Sequence, residues 1–386
     1  MDIIPPDSPP PPAPPPPPIA DLSHRPADRQ PNWEIIPEWL AGRISQTVAC
    51  TDADHLPRVD GAGDTIIVGG ESVQVMHNGV VVTEGGYYGP LSSEVIRCLR
   101  GVHEPQEEVA FDAVVRRIAA TAPPGRAPIM IELGSYWAYY SLWFLDSLPH
   151  GRSICLEPDP RNLAVGQHNF ELNERTGTFI NAAIGDGSGA PMSFQPDDGS
   201  PPFDLPTYDL RALLDLVDIP AVDLLLADIQ GGELPLLLHS IDLLRSGAVR
   251  FMVVSTHDLA ITGSAMTHQH VLAMLVDAGA HIVCEHSVSE SVSGDGLVVA
   301  AFHADDRDLV VDVSHGRARE SLTGEWEPRV EAYRADLRAA RARIAELTEE
   351  RDAMAAQLEG INGSVLVRIR NAVVAPFRRG RDVSGS

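Results

Sequence analysis

The sequence predicts an α/β protein: a doubly wound parallel sheet ending in an antiparallel hairpin, with a small N-terminal cap before it and a helical, coiled-coil extension after it. Three observations carry this reading. From Ile129 onward, the short apolar runs "IMIEL", "SICLEP", "TFINAAI", "DLLLADI" and "FMVVST" alternate with helix-like segments. Such alternation builds parallel βα units whose ligands sit at the carboxyl ends of the strands. The last two runs, "HIVCEH" and "GLVVAAF", are separated only by "SVSESVSGD", which is too short for a crossover helix, so they must pair antiparallel. Finally, the first run leads into "IELGSYWAYYSLWFL", where Glu132 and Gly134 occupy the turn that a nucleotide-like ligand approaches.

The elements follow in order. Residues 1–33 hold "PPDSPPPPAPPPPP", which lacks the N–H groups that helices and sheets need and reads as a disordered or polyproline II leader. Residues 34–104 form the cap, in which "TIIVGGESVQVMHNGVVVT" alternates around the Asn78-Gly79 turn as small strands or a hairpin. Residues 105–316 form the main domain. It opens with a helix whose apolar positions are Val109, Phe111, Val114, Val115 and Ile118. In residues 325–360, Val330, Tyr333, Leu337, Ala340, Ile344, Leu347, Met354 and Leu358 recur at spacings of three and four, with Arg351 on the seam. This predicts a short coiled coil, as a homodimer contact or as a helix docked on the body. The tail, residues 361–386, contains the basic amphipathic "SVLVRIRNAVVAPFRRGR", a candidate for weak membrane-surface or partner contact.

Composition narrows the function. A net charge of -25 and a pI near 4.8 argue against nucleic acid, whose binding depends on Lys and Arg neutralising phosphates. A small-molecule or glycan acceptor fits better. Cys50, Cys98, Cys155 and Cys284 have neither metal-finger nor CxxC spacing and read as reduced core residues. No basic segment followed by an apolar stretch opens the chain, and no window reaches the roughly 18 apolar residues of a membrane span, so the expected compartment is the cytoplasm.

The turn after the first strand selects the cofactor. Gly134 supplies the tight turn, and Glu157 in "LEPDP" lies 23 positions later, near the spacing of about 20 expected for a ribose-binding acid. A dinucleotide needs a second glycine so that backbone can approach its pyrophosphate, and Tyr136 stands in that space. S-adenosylmethionine has no phosphate, which relaxes the requirement. Glu132 then faces its amino group, and the rings of Tyr136, Trp137 or Tyr140 approach the sulfonium. Ser135, Tyr136 and Trp137 are read as cofactor contacts, and Trp143 and Phe144 as packing.

At this point "IELGSYWAYYSLWFL", "LEPDPRNLAVGQHNFELN", "FINAAIGD" and "DLLLADIQGGELPLLL" together resemble the FkbM-type methyltransferases over about residues 70–303. The resemblance implies a class I methyltransferase fold. It implies S-adenosylmethionine as cofactor and O-methyl transfer to hydroxyls of sugars, glycans or glycosylated metabolites. It also implies that Glu157 binds the ribose and that Asn181 and Ala182 lie beside the adenine. The chain departs from the family pattern by lacking the run of glycines after the first strand and by carrying Gln230 where an acidic residue is usual.

Methyl transfer to a hydroxyl needs a base held opposite the methyl. Asp228 ends the fourth strand, and His257 and Asp258 follow the fifth. His257 is the predicted general base because imidazole titrates near neutrality, with Asp228 orienting it or the acceptor. Asp228, His257 and Asp258 would also suit Mg or Mn, but adjacent residues seldom reach one ion and no metal is expected. His268 near its helix start, and His286 with Glu285 and Asp295, read either as acceptor-side groups or as structural networks. In the cap, His77, Tyr87, Tyr88, His103, Glu104, Gln106 and Glu107 read either as lining for the acceptor or as the opening of the next helix. Two rival functions remain on the sequence alone: an NAD(P)-dependent oxidoreductase, or a catalytically silent scaffold.

Overall fold

The computed structural model describes residues 19–196 and 199–316, then residues 343, 347–348, 351, 353–354 and 368–370. The described residues from 19 to 316 belong to one compact unit, and the few described residues beyond 316 belong to another. The leader's proline run, most of the coiled-coil segment and most of the basic tail therefore lie outside the described residues. Of the predicted seam, Leu347, Arg351 and Met354 are described, and all three are helical and exposed.

The compact unit is organised by a seven-stranded sheet. Its cap strands are β1 (Thr65–Val68), β2 (Glu71–Val75) and β3 (Val81–Thr83), and its sheet strands are β4 (Ile129–Leu133), β5 (Arg152–Leu156), β6 (Thr178–Ile180), β7 (Val222–Ala227), β8 (Val249–Thr256), β9 (His281–His286) and β10 (Gly296–Ala301). The sheet order is β9-β10-β8-β7-β4-β5-β6. Strands β6, β5, β4, β7 and β8 run parallel, and β10 runs antiparallel to both β8 and β9. The order reverses at β4, with β5 on one side and β7 on the other, and this switch point is where open α/β sheets bind ligands.

Burial on both faces explains why these strands read as continuous apolar runs. Alternate residues divide between two cores. Met130, Leu224, Leu226, Phe251, Val253 and Val299 belong to one, and Ile131, Leu225, Met252, Val254 and Val298 to the other. Helices α3 (Pro105–Thr121) and α4 (Tyr139–Ser147) cover the first face, while α6 (Leu210–Leu216), α7 (Glu233–Ser246) and α9 (Thr267–Asp277) cover the second. Local chemistry sets several helix ends. Asp159 caps α5 (Pro160–Leu172), whose first residue is proline, and Gly247 closes α7 in the left-handed region.

The cap strands form an antiparallel sheet with its turn at Asn78-Gly79. Asn169 of α5 and Asn173, just beyond the helix end, satisfy the outer edge of β3. Asn173 accepts from the Val81 N–H and donates to its carbonyl, while Asn169 accepts from the Thr83 N–H and donates to the Trp137 carbonyl. Helices α1 (Glu38–Ala49) and α2 (Pro90–Cys98) complete the cap.

Two boundaries differ from the sequence reading. The leader is expected to run to residue 33, but part of it packs: the Ala20 N–H donates to Ser45 Oγ, Leu22 is buried against the cap, and Arg25 binds the Val48 carbonyl and Asp54. Arginine side chains anchor this stretch, and apolar periodicity does not reveal such anchors. The single strand expected at "TFINAAI" is interrupted. Ala183–Ile184 pairs with Thr207–Tyr208, and a hairpin of Met192–Phe194 with Phe203–Leu205 follows. All four cysteines are free and buried, and burial pushes the Cys98, Cys155 and Cys284 thiols up to about 12. Among the described residues no helix is long and apolar enough to cross a membrane.

Candidate active site

The loop after β4 is tied to its neighbours by backbone bonds. The N–H groups of Gly134 and Ser135 donate to the Leu156 carbonyl, and that of Tyr136 to Glu157 Oε2 at 3.0 Å. Gly134 holds a φ of +75°, and a Cβ there would lie 1.8 Å from the Asp228 carbonyl oxygen. Its hydrogen is what lets the β4 and β7 loops meet. Tyr136 and Ala138 also lie in the left-handed region, at φ +41° and +56°, a conformation costing an L-residue roughly 1–2 kcal/mol. The loop thus keeps a glycine-like backbone without the glycines.

Glu132 is buried and its Oε2 accepts the Ser141 N–H, in the first turn of α4, at 3.0 Å. The positive end of this helix therefore already holds a carboxylate. Three successive loop amides point at β5, and the helix start is filled by Glu132, so no cradle is left for a pyrophosphate. A phosphate-free cofactor fits. Glu157 accepts the Tyr136 N–H on Oε2 and the Asp159 N–H on Oε1, and the Asn162 side chain bonds it as well; a carboxylate oxygen can accept more than one bond. Burial pushes Glu132 up to about 8 and Glu157 up to about 7, and a cationic ligand beside them would favour their charged forms. This is the fit that S-adenosylmethionine requires, and the residues that would hold it are Glu132, Gly134, Ser135, Tyr136 and Glu157.

Other expected cofactor residues are placed differently. Trp137 is 4% exposed, with Tyr87 of the cap stacked on it at 4.6 Å, so that face is covered. Ser135 is buried. Asn181 donates both side-chain bonds to the carbonyls of Glu157 and Pro158, and Ala182 is wholly buried in the second core. Half-buried Tyr136 remains the aromatic side chain at the loop, with its hydroxyl accepting from the Tyr88 N–H.

At the ends of β7 and β8 the structure brings Asp228 and His257 together. His257 Nε2 lies 3.1 Å from Asp228 Oδ1 and 3.7 Å from Asp295 Oδ1, while Nδ1 lies 2.8 Å from Glu233 Oε1. The imidazole is fully buried, whereas the Asp228 and Asp295 side chains are about one third exposed and open to the cleft. Burial works against a charge on His257, but the bonds to Asp228 and Glu233 outweigh it and push the ring up to about 11. A base must start without its proton, and the carboxylates around this imidazole favour the protonated ring, which bears directly on the base role expected of His257. Gln230, at φ +47°, places its amide nitrogen 2.9 Å from His257 Nε2. The same amide donates to Asp228 Oδ1 at 3.3 Å, so Gln230 bridges the carboxylate and Nε2, which accepts from it when it carries no proton.

Asp258 points elsewhere: its carboxylate caps the short helix α8 (Leu259–Thr262) through the Ala260 and Ile261 N–H groups. Among the described residues no three His, Cys, Asp or Glu side chains gather as a metal site. His268 bonds Thr256 and Glu285. Burial pulls His286 down to about 4, leaving it neutral. These two histidines belong to structural networks.

The cap adds a second charged unit. His103 Nδ1 lies 2.6 Å from Glu108 Oε1 and Nε2 lies 3.2 Å from Glu104 Oε2. Burial opposes its charge as well, but Glu104 and Glu108 raise it to about 10. Glu107, at the start of α3, accepts from the Ser255 hydroxyl of β8, and burial holds its carboxyl well above the usual range. Glu233 and Glu108 were missed by the sequence reading. The available signal for Glu233 was its place five residues after Asp228, opening a helix with an acid whose N-terminal position looks like a routine dipole partner.

Residues 121–282 match the family described as Methyltransferase FkbM domain. No curated protein matches the chain. Solved structures with a similar fold include precorrin-6y C5,15-methyltransferase from Geobacter metallireducens GS-15, at 17% identity and a TM-score of 0.32, covering 50% of this chain and 87% of that one. Magnesium protoporphyrin IX methyltransferase from Synechocystis PCC 6803 gives 12% identity and 0.33, covering 50% and 77%. A human methyltransferase 10 domain containing protein gives 13% identity and 0.33, covering 52% and 83%. The family match spans the last residue of α3 to β9 and takes in the β4 turn, the Asp228–His257 pair and the switch point between them: over residues 121–282 the chain matches an FkbM methyltransferase domain, and the protein is a methyltransferase.

Proposed function

We propose that the protein is an S-adenosylmethionine-dependent O-methyltransferase acting on a hydroxyl of a sugar, glycan or glycosylated metabolite, with Asp228 as the proton acceptor. The observation that carries this reading is the pairing of a partly exposed Asp228 carboxylate with the buried imidazole of His257 at 3.1 Å. An alcohol needs a base positioned at its oxygen, and a carboxylate steadied by an imidazolium can accept a proton while its partner keeps its own. S-adenosylmethionine, when bound, supplies the electrophilic methyl group. The chain's residues do the rest. Asp228 takes the acceptor's O–H proton as the new C–O bond forms. His257 neutralises the carboxylate and fixes its orientation. Tyr87 and Tyr88 of the cap close over Tyr136 and exclude water.

The sugar class is supported by the cleft's make-up. Asp228, Asp295 and Glu104 offer acceptor oxygens to an array of hydroxyl donors, and the tyrosines offer ring faces to carbon-bound hydrogens. The same carboxylates repel an anionic acceptor. The test is release of S-adenosylhomocysteine from S-adenosylmethionine with a panel of neutral glycosides, amino sugars and uronic acids. Turnover is expected with neutral or amino sugars and not with uronic acids. Methyl transfer confined to amines or carboxylates would overturn the reading.

A further inference from the structure

Helix α7 begins with an acid that faces inward. Glu233 is wholly buried. Its Oε1 lies 2.8 Å from His257 Nδ1 and accepts the Gly231 N–H at 3.2 Å, while its buried Oε2 has no hydrogen-bond partner. A carboxylate with an idle oxygen inside a protein is tolerated where an opposite charge lies against it, and His257 occupies that position. The groups facing His257 come from three places. Glu233 belongs to α7, Asp228 and Gln230 to the loop between β7 and α7, and Asp295 to the turn before β10. Three of the four are acids.

We propose that Glu233 is a positioning residue of the methyl-transfer centre: through Nδ1 it fixes the plane and the charge of His257, so that Nε2 is held toward Asp228 and Asp295. This rests on the reading that Asp228 receives the acceptor's proton. A neutral amide at position 233 would still accept from Nδ1–H and keep the ring's orientation, but it would remove one of three charges holding the proton. Glu233→Gln therefore separates orientation from charge. The strongly raised affinity of His257 for its proton agrees with such a role. The cap repeats the arrangement in Glu108, His103 and Glu104, which supplies an internal control.

The test is a ring-nitrogen NMR titration of the full chain with isotope-labelled histidine, from about pH 5 to about pH 10, with His257 assigned by His257→Asn. In the unmodified protein His257 is expected to stay doubly protonated across that range. Glu233→Gln should lower its midpoint by roughly 1–3 pH units, and Glu108→Gln should move His103 and leave His257 in place. With a hydroxyl acceptor, Glu233→Gln should reduce kcat by roughly 10–100-fold with the KM for S-adenosylmethionine unchanged, and Glu233→Asp, which restores the charge, should recover part of the loss. A His257 that titrates near its ordinary value in the unmodified protein overturns the proposal, even if Glu233→Gln fails to fold. So does a midpoint unmoved in that variant. Failure of every hydroxyl acceptor alongside the predicted titration would instead count against the O-methyl reading.

Discussion

At the scale of single residues, the chemistry lies in which charges are held and by what. His103 and His257 both sit between buried or half-buried carboxylates, and both keep protons that imidazoles ordinarily lose near neutrality. Their folded-state affinities are raised above the unfolded value of about 6.5, to about 10 and about 11. Their contribution to stability is therefore complete below about pH 6.5 and is lost as pH rises through about 10 to 11. Asp295, Glu132 and Glu157, raised by burial to about 7, 8 and 7, act in the same direction at lower pH, since their folded forms also prefer the proton. Urea midpoints are expected to fall steadily from about pH 6.5 to about pH 10, and His103→Gln should flatten the upper part of that slope. A midpoint that rises over this range would contradict the assignment of charge. Much of this was legible in the sequence as residue types at strand ends: Glu132, Asp228 and His257 stand where such acids and bases meet ligands. Their protonation was not. It depends on Glu233, Asp295 and Glu108, whose distances from the rings are set by packing between elements far apart in the chain.

At the scale of elements, the sheet could be read from its apolar runs because β4, β7, β8 and β10 are buried on both faces and tolerate little else. The hairpin that ends the sheet could be read from the length of its connection alone. The attachment of the cap could not, because it is made by two polar residues, Asn169 of α5 and Asn173 just beyond it. Asn169 is fully buried and joins the Thr83 N–H to the Trp137 carbonyl, while Asn173 exchanges two bonds with Val81. Together they extend the cap sheet into α5 and hold Tyr87 against Trp137. Replacing both by alanine leaves the β3 backbone groups without partners, at about 1–3 kcal/mol for each buried group. Faster amide hydrogen exchange is expected in β1, β2 and β3 with β4 and β7 unchanged. Protection unchanged in the cap would show that α5 does not anchor it. The strand expected at "TFINAAI" failed for a related reason: its middle, Asn181, turns to bind carbonyls of the β5 end, which breaks a run that composition alone presents as continuous.

At the scale of the whole molecule, the compact unit gathers acids from four separate segments, around Glu104, Glu157, Asp228 and Asp295, at the carboxyl edge of one sheet. A chain of net charge -25 can do this where buried imidazolium groups divide the acids into neutralised sets, and where the ligand itself brings positive charge. A phosphate-free cationic cofactor meets that condition and a dinucleotide does not, since Glu132 already occupies the helix terminus that a pyrophosphate would need. The aromatic residues that replace glycines after β4 follow from the same choice, because the backbone keeps its turns at Tyr136 and Ala138 while the rings fill space no phosphate claims. The most direct measurement of this account is the turnover of S-adenosylmethionine with a hydroxyl acceptor by Asp228→Asn. Loss of the base should lower kcat by roughly 10²–10⁴-fold with cofactor affinity changed by less than about threefold, whereas an unchanged kcat would contradict the assignment of Asp228 as the group that receives the acceptor's proton.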